Sequence, residues 1–133
     1  NEVNINNLAF HASVMLMRIG KNKALLIENS KALDSETFSY KEEFDILIKE
    51  LSTYGNCEIP KDEADYLLMH LLGMYLNESS FLENDFLNDL RKIAENIAED
   101  FILKSDKIMS LDLESNDQFK RSLMLHLLPT VYR

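Results

Sequence analysis

Residues that break or punctuate secondary structure are scarce in this 133-residue chain. It contains three glycines, two prolines and no tryptophan. Tight β-hairpin turns, which usually need Gly or Pro, are therefore expected to be few. Leu and Glu, which favour helices, are abundant. The composition therefore predicts an all-α protein, and with 46% hydrophobic residues the chain can bury a substantial core. We expect a compact bundle of about five to six helices.

The chain is also poor in cysteine and in positive charge. Its single cysteine, Cys57, cannot form an internal disulfide and suits a reducing cytosol, where it is a small loop or core residue. The formal net charge of −9 and the scattered Lys and Arg residues argue against direct binding to nucleic acid. No signal peptide and no apolar run long enough for a membrane are present. We expect a cytoplasmic location, and a start at Asn1 and an end at Arg133 suggest a fragment of a longer protein.

Apolar residues recur at helical spacing in most of the chain. Ser39 and Glu42 have the form of a capping box, and Gly20 and Gly55 supply stops. Asn77 to Ser80 is polar and is the predicted internal boundary. The predicted helices are 5–19, a weaker helix at 24–33, a helix from the capping box to Gly55, a central helix after Pro60, and helices at 82–103 and 118–131.

The stretch from Pro60 to Tyr75 predicts a buried central helix with one histidine in it. Pro60 suits a helix entry, and acidic residues follow at once in the first turn. From Tyr66 to Leu76 large apolar side chains are interrupted only by His70 and Gly73. Such a helix must be surrounded by other elements, since it is apolar on nearly every side.

The last predicted helix repeats the first. Leu8, His11 and Arg18 recur as Leu123, His126 and Arg133 at a constant offset of 115 residues, with largely apolar positions between them. His and Arg seven residues apart return to nearly the same helix face. So large an offset indicates tandem domains rather than a solenoid.

All three histidines lie in apolar helical stretches, and several roles are open for them. A core imidazole with its nitrogens satisfied locally is the ordinary one; a metal ligand, an acid–base catalyst and a phosphoryl acceptor are the others. The zinc and di-iron motifs are absent, and so are the local motifs of hydrolases. We therefore expect no metal, no cofactor and no enzymatic activity. Glu63 and Tyr66 can share a face with His70, whereas Asp62 and Glu63 act either as helix-start charges alone or as orienting groups.

These residues resemble the PTS regulation domains (PRDs) of bacterial sugar-operon regulators, namely transcriptional activators and antiterminators. The resemblance rests on Pro60-Lys-Asp62-Glu63, the aromatic Tyr66 and His70-Leu-Leu-Gly73, together with the His11 and Arg18 helix and the opening His126-Leu-Leu-Pro129 of a second module. Antiterminators often place Asp before the first histidine, where this chain has Phe10. Residues 1–133 would be a PRD fragment: 1–78 the body of one copy and 81–133 the opening helices of the next, which could also pack into the same bundle.

The resemblance implies a regulatory, non-catalytic module that is phosphorylated on histidine. The implied acceptors are His11, His70 and His126, and the implied supporting residues are Arg18, Asp62, Glu63, Tyr66 and Arg133. The implied partners are the phosphocarrier protein HPr, the B component of enzyme II, and a second copy of the chain in a homodimer. The alternatives are a degenerate copy that only dimerises or docks a partner, and a small helical enzyme or metal protein. The switch hypothesis predicts that His70 lies near His11, at an accessible edge of the bundle.

Overall fold

The computed structural model describes residues 2–27, 40–75 and 85–133, and these residues form five α-helices without a β-strand. The prediction of an all-α bundle is confirmed. In chain order the helices are α1 (Glu2–Gly20), α2 (Lys41–Gly55), α3 (Lys61–Tyr75), α4 (Asp85–Met109) and α5 (Asp117–Tyr132).

The ends of the first three helices follow local sequence rules. α1 ends at Gly20 and α2 at Gly55, as predicted. Asn56 is the C-cap of α2 and has the left-handed conformation, with a φ of 46°. The N-cap of α2 is Tyr40, which makes no side-chain capping bond. Ser39, the predicted cap, lies outside the described residues.

The predicted helix at 24–33 is wrong for its described part, because residues 23–27 are not helical. Leu25 and Ile27 are buried, whereas Leu26 between them is 87% exposed. That alternation belongs to an extended segment rather than a helix. The backbone N–H groups of Leu25 and Ile27 donate to carboxylates of α3, and these bonds hold the segment in place; residues 28–33 lie outside the described part.

The structure separates into two compact units, and the first comprises residues 1–71. Its core joins α1 and α3 through Ala12, Met15 and Leu67, each at most 6% exposed. Partly buried apolar residues of α1, α2 and the approach to α3 pack around these three: Leu8, Leu16, Ile19, Ile48, Leu51 and Ile59. α1 thus presents the face that carries His11 to α3.

The second unit comprises residues 72–133, in which α4 packs against α5. The buried face of α4 consists of Leu87, Leu90, Ala94, Ala98 and Ile102. The helical spacing of Phe86, Leu90, Ile93, Ile97 and Phe101 predicts this helix, but of these only Leu90 belongs to the buried face. Ile93, Ile97 and Phe101 are about half exposed (46–53%). Small alanines on the buried face let a neighbouring helix approach closely, which favours this face over the bulkier one.

Pro129 lies inside α5 and is buried. A proline has no N–H to donate to the carbonyl four residues earlier, which here belongs to Leu125. Gly73 faces that carbonyl so closely that an added Cβ would lie 2.9 Å from the Leu125 oxygen. Gly73 is therefore required by the close approach of backbone to backbone.

The unit division falls between Leu71 and Leu72. The predicted organisation, with 1–78 as one copy and 81–133 as the opening of another, stays a prediction, and the predicted joint at Asn77–Ser80 lies outside the described residues. Among the helices described, none combines the length and the apolar character that crossing a membrane requires.

Candidate functional site

His11 of α1 and His70 of α3 come together in the first unit. Their imidazole rings are stacked, with centroids 3.6 Å apart and planes inclined by 22°. The predicted proximity of the two histidines is therefore present. His11 and His70 are 59 residues apart in the sequence. They meet because Ala12 and Met15 of α1 pack on Leu67 of α3 beside the rings.

Two further aromatic rings flank the histidine pair. Tyr66, one helical turn before His70 on α3, meets the His70 ring edge-on at 4.9 Å. Phe10 meets the His11 ring edge-on at 5.7 Å, and its side chain is 64% exposed. Edge-to-face arrangement is a favourable geometry for neighbouring aromatic rings. Each imidazole thus has an aromatic neighbour in addition to the other imidazole.

An ion pair between α1 and α3 lies beside the rings. Arg18 binds Glu63 with two bonds, from Nε to Oε1 at 3.0 Å and from Nη2 to Oε2 at 2.6 Å. The carboxylate is completely buried, while the Arg18 side chain is 26% exposed. Hydrogen bonding to Glu63 holds the pKa of Arg18 above its ordinary value despite the opposing effect of burial. Arg18 also lies over the Tyr66 ring, 5.8 Å from its centroid, which connects the ion pair to the histidines.

The acidic start of α3 also fixes the segment that follows α1. Glu63 Oε1 accepts the backbone N–H of Leu25 at 2.9 Å, and Asp62 Oδ2 accepts that of Ile27 at 3.1 Å. Charges at a helix start are common because they complement the helix dipole. Here both carboxylates do more than that, since they bind groups from another part of the chain. That Asp62 and Glu63 orient His70 stays a prediction, since the partners found for the two carboxylates are Arg18 and these backbone groups.

The stacked rings leave little free space. The cavity at the pair has a volume of about 10 Å³ and is lined by His11, Met15, Arg18, Glu63, Tyr66, Leu67 and His70. His11 and His70 are each partly exposed as residues, but the Nε2 atom of His70 is buried. His70 is thus near His11, as predicted, and only part of it reaches the accessible edge that the prediction required.

The chemistry of this arrangement is that of two imidazoles beside a guanidinium. A neutral imidazole nitrogen is a nucleophile near pH 7, and a guanidinium binds phosphate or carboxylate through paired N–H donors. Within residues 2–27, 40–75 and 85–133, no cluster of three or more His, Cys, Asp or Glu side chains could hold a metal ion. The residues present therefore fit chemistry on an anionic group better than metal binding.

His126 and Arg133, the predicted counterparts of His11 and Arg18, lie in the second unit. Both are exposed. α5 carries His126 and ends at Tyr132, and the N–H of the following Arg133 donates to the Pro129 carbonyl at 3.1 Å. The structure thus brings together His11, His70, Arg18, Glu63 and Tyr66 in the first unit. It places Asp62 against the Ile27 backbone, and His126 and Arg133 on or next to the last helix of the second unit.

Sequence reasoning did not identify the backbone groups of the site. The backbone N–H groups of Leu25 and Ile27 donate to Glu63 and Asp62. Every residue except proline has such a group, so the sequence does not indicate which of them binds a carboxylate. A weak signal was available in the pair of buried apolar residues two apart, which is a strand-like pattern. Met15, which lines the cavity beside the histidines, was also not identified as a site residue, because its apolar side chain fits the helical pattern like that of any core residue.

The chain was compared with known proteins. A family model described as the PRD domain matches residues 1–74, more than half of the chain. A protein of Bacillus subtilis (strain 168) named "Probable licABCH operon regulator" is 26% identical over 140 aligned residues, which cover all of this chain and 21% of that protein. The chain thus spans about a fifth of the length of this relative. A search of solved structures found no significant match. Because the family model covers the helices that bring His11 and His70 together, the chain belongs to the PRD domain family.

Proposed function

We propose that His11 and His70 are phosphoryl acceptors and that the chain is the regulatory, non-catalytic module of a bacterial sugar-operon regulator. The observation that carries the proposal is the stacked histidine pair beside Arg18, in a chain of the PRD domain family. Phosphorylation would report the state of the sugar phosphotransferase system to the rest of the regulator. Arg18 is the group best placed to bind the added charge.

The proposed reaction is the transfer of a phosphoryl group between two protein side chains. The lone pair of a neutral imidazole nitrogen of His11 or His70 attacks phosphorus and forms a P–N bond. The bond between phosphorus and the donor side chain breaks, and its electron pair stays on the donor atom. No oxidation occurs, and the phosphoryl donor is the co-reactant. The chain itself supplies the nucleophile and the cation.

The test is a reconstituted phosphorylation assay. The chain is incubated with phosphoenolpyruvate, enzyme I and the phosphocarrier protein HPr, and acid-labile phosphate is mapped by mass spectrometry. We expect label on His11 or His70, and none on residues 1–71 in a variant that carries both His11→Ala and His70→Ala. The His126→Ala variant is the matched control, because it removes a histidine from the second unit and should leave this label unchanged.

A parallel assay replaces HPr with the B component of an enzyme II as the final donor. Absence of label from HPr alone would rule out HPr as the direct donor. Absence of label on His11 and His70 with both donors would contradict the proposal. Label confined to His126 would also contradict it, since the paired histidines would then have no role in the transfer.

A second function is favoured by the burial of the site. The buried Nε2 of His70 and the cavity of about 10 Å³ also suit a degenerate module that binds a partner or dimerises without being phosphorylated. For that function the histidine stack is packing only. Such a module would remain unlabelled by both donors, and variants with other flat side chains in place of the histidines would keep its partner binding.

The larger assembly follows from the same proposal. The relative from B. subtilis is named as an operon regulator, so we propose that the full-length protein controls transcription in the cytoplasm and that this module forms homodimers. Sedimentation of the chain with and without phosphorylation measures the dimer directly. A monomer in both states, over a wide concentration range, would contradict dimerisation without bearing on phosphorylation.

A further inference from the structure

α4 carries exposed apolar side chains beside the face that packs in the second unit. Ile93, Ile97 and Phe101 are about half exposed, and Ile108 is mostly exposed. At 100° per residue, these side chains and the partly exposed Phe86 lie within about 80° of one another around the helix. We call these five residues the apolar stripe; it is about 33 Å long at 1.5 Å per residue. A contiguous exposed apolar surface of this kind indicates a site that another molecule covers.

The spacing of the apolar stripe is symmetric about Ile97. Ile93 and Phe101 lie four residues to either side of Ile97, and Phe86 and Ile108 lie eleven residues to either side. Two identical helices that pair antiparallel around a two-fold axis bring residues with this relation against each other. With Ile97 of one copy on Ile97 of the other, Ile93 meets Phe101 and Phe86 meets Ile108. Every residue of the stripe then has an apolar partner in the second copy.

The charges beside the apolar stripe favour the antiparallel direction. Asp89 and Lys107 are 18 residues apart, which is about five full turns, so both lie on the same flank of the stripe. In the antiparallel pair, Asp89 of each copy lies within one turn of Lys107 of the other, and this contact occurs twice. In a parallel pair in register, Asp89 would face Asp89 and Lys107 would face Lys107. Opposite charges across a helix pair are favourable and like charges are unfavourable.

We infer that the apolar stripe is a homodimer interface in which α4 of one copy pairs antiparallel with α4 of a second copy around Ile97. This inference rests on the homodimer proposed above and assigns a surface to it. The occupant is a second copy of this chain, because only a copy of the same helix matches both the symmetric spacing of the stripe and the charges on its flank. Such an interface uses the same surface twice and closes at two subunits.

The first experiment measures the dissociation constant of the dimer by sedimentation equilibrium of the 133-residue chain. Ile97→Glu places two carboxylates against each other at the two-fold axis, so the dissociation constant should rise at least about 100-fold. Leu103→Glu is the matched control. Leu103 is as exposed as Phe101 and lies on the same helix, about a third of the circumference away from Ile97. Its substitution should leave the dissociation constant within about threefold of the original.

The second experiment tests the direction of pairing by charge reversal at low ionic strength. Asp89→Lys and Lys107→Asp each replace two attractive contacts by two repulsive ones, so each should raise the dissociation constant about tenfold. The variant with both substitutions exchanges the charges and should return to near the original value. In a parallel pair like charges already face each other, so the single substitutions would have little effect. Single variants that dimerise as well as the original chain would therefore overturn the antiparallel interface.

Folding of each variant is checked by far-ultraviolet circular dichroism, and Ile97→Ser is the second variant if Ile97→Glu does not fold. Equal weakening of the dimer by Ile97→Glu and Leu103→Glu would overturn the interface and leave the proposed homodimer standing. A chain that is monomeric at every concentration would overturn both and leave the stripe to a different protein. A dimer that depends on Ile97, in a chain that neither phosphoryl donor labels, would support the interface and contradict the proposed phosphorylation.

Discussion

Replacing Glu63 with glutamine should destabilise the first unit far more than the loss of an exposed carboxylate does. Glu63 is completely buried and accepts two hydrogen bonds from Arg18 and one from the backbone N–H of Leu25. Glutamine has nearly the same size, but it is neutral and one of its terminal atoms is a donor. At least one of the three bonds is then lost, and Arg18 keeps its charge without a carboxylate.

The magnitude follows from the burial of the pair. Removing one partner of a buried ion pair costs about 3–5 kcal/mol, because the remaining charge stays desolvated. Arg18 is 26% exposed and can recover some hydration, so we expect a loss of about 3 kcal/mol, at the lower end of that range. The matched control is Asp45→Asn, which removes a 60% exposed carboxylate paired with Lys41 at 2.8 Å. Exposed helix pairs of this type contribute about 0.3–0.5 kcal/mol.

The assay is urea unfolding followed by circular dichroism, with the free energy of unfolding obtained by linear extrapolation. A double-mutant cycle adds Arg18→Met and the combined variant. Because the uncompensated charge causes most of the cost, Arg18→Met should recover part of the stability that Glu63→Gln loses. If Glu63→Gln costs no more than Asp45→Asn, or if the effects of Glu63→Gln and Arg18→Met are additive, the buried ion pair does not stabilise the first unit.

Two further predictions concern the second unit. Gly73→Ala should cost about 1–3 kcal/mol in unfolding free energy, since the new Cβ would lie 2.9 Å from the Leu125 carbonyl oxygen. The control is Gly20→Ala, where no atom lies within 4 Å of the new Cβ, and it should be neutral or slightly stabilising. Equal changes in unfolding free energy for the two variants would refute the close approach at Gly73. Asn116→Ala should cost about 0.5–2 kcal/mol in the same assay because its side chain accepts the Phe119 N–H at 2.9 Å. Asn116→Asp, which retains an acceptor, should stay near the original stability, and a loss as large as that of the alanine variant would contradict the capping role.

Much of the helical fold could be predicted because helix formation depends on local periodicity and on a few punctuating residues. The stops at Gly20 and Gly55 and the start after Pro60 were correct. The end of α4 was placed at 103, whereas the helix runs to Met109. Its last turns carry exposed apolar residues, with Ile108 at 81% exposure, and an amphipathic pattern cannot mark the end of a helix that leaves the core.

Tertiary partners were harder to predict than helices. The sequence placed Glu63, Tyr66 and His70 on one face of α3 through their spacing, and the structure has Tyr66 against His70. It gave no information on whether Arg18 would bind Glu63, because spacing along one helix does not determine which face of another helix it meets. The segment at 23–27 shows the same limit. Weak helical propensity there is overridden by two backbone bonds to buried carboxylates.

The ion pair also indicates how a change at His11 would be transmitted if that residue carries a phosphoryl group. Arg18 lines the same cavity as His11, and a phosphoryl group binds a guanidinium about as well as a carboxylate does. Moving Arg18 from Glu63 to the phosphoryl group would leave Glu63 buried with its charge uncompensated, which costs several kcal/mol. If the carboxylate then moves toward water, its bond to the Leu25 N–H breaks, whereas the Ile27 N–H keeps its bond to Asp62. The contact between the segment at 23–27 and the start of α3 would thus be weakened together with the ion pair.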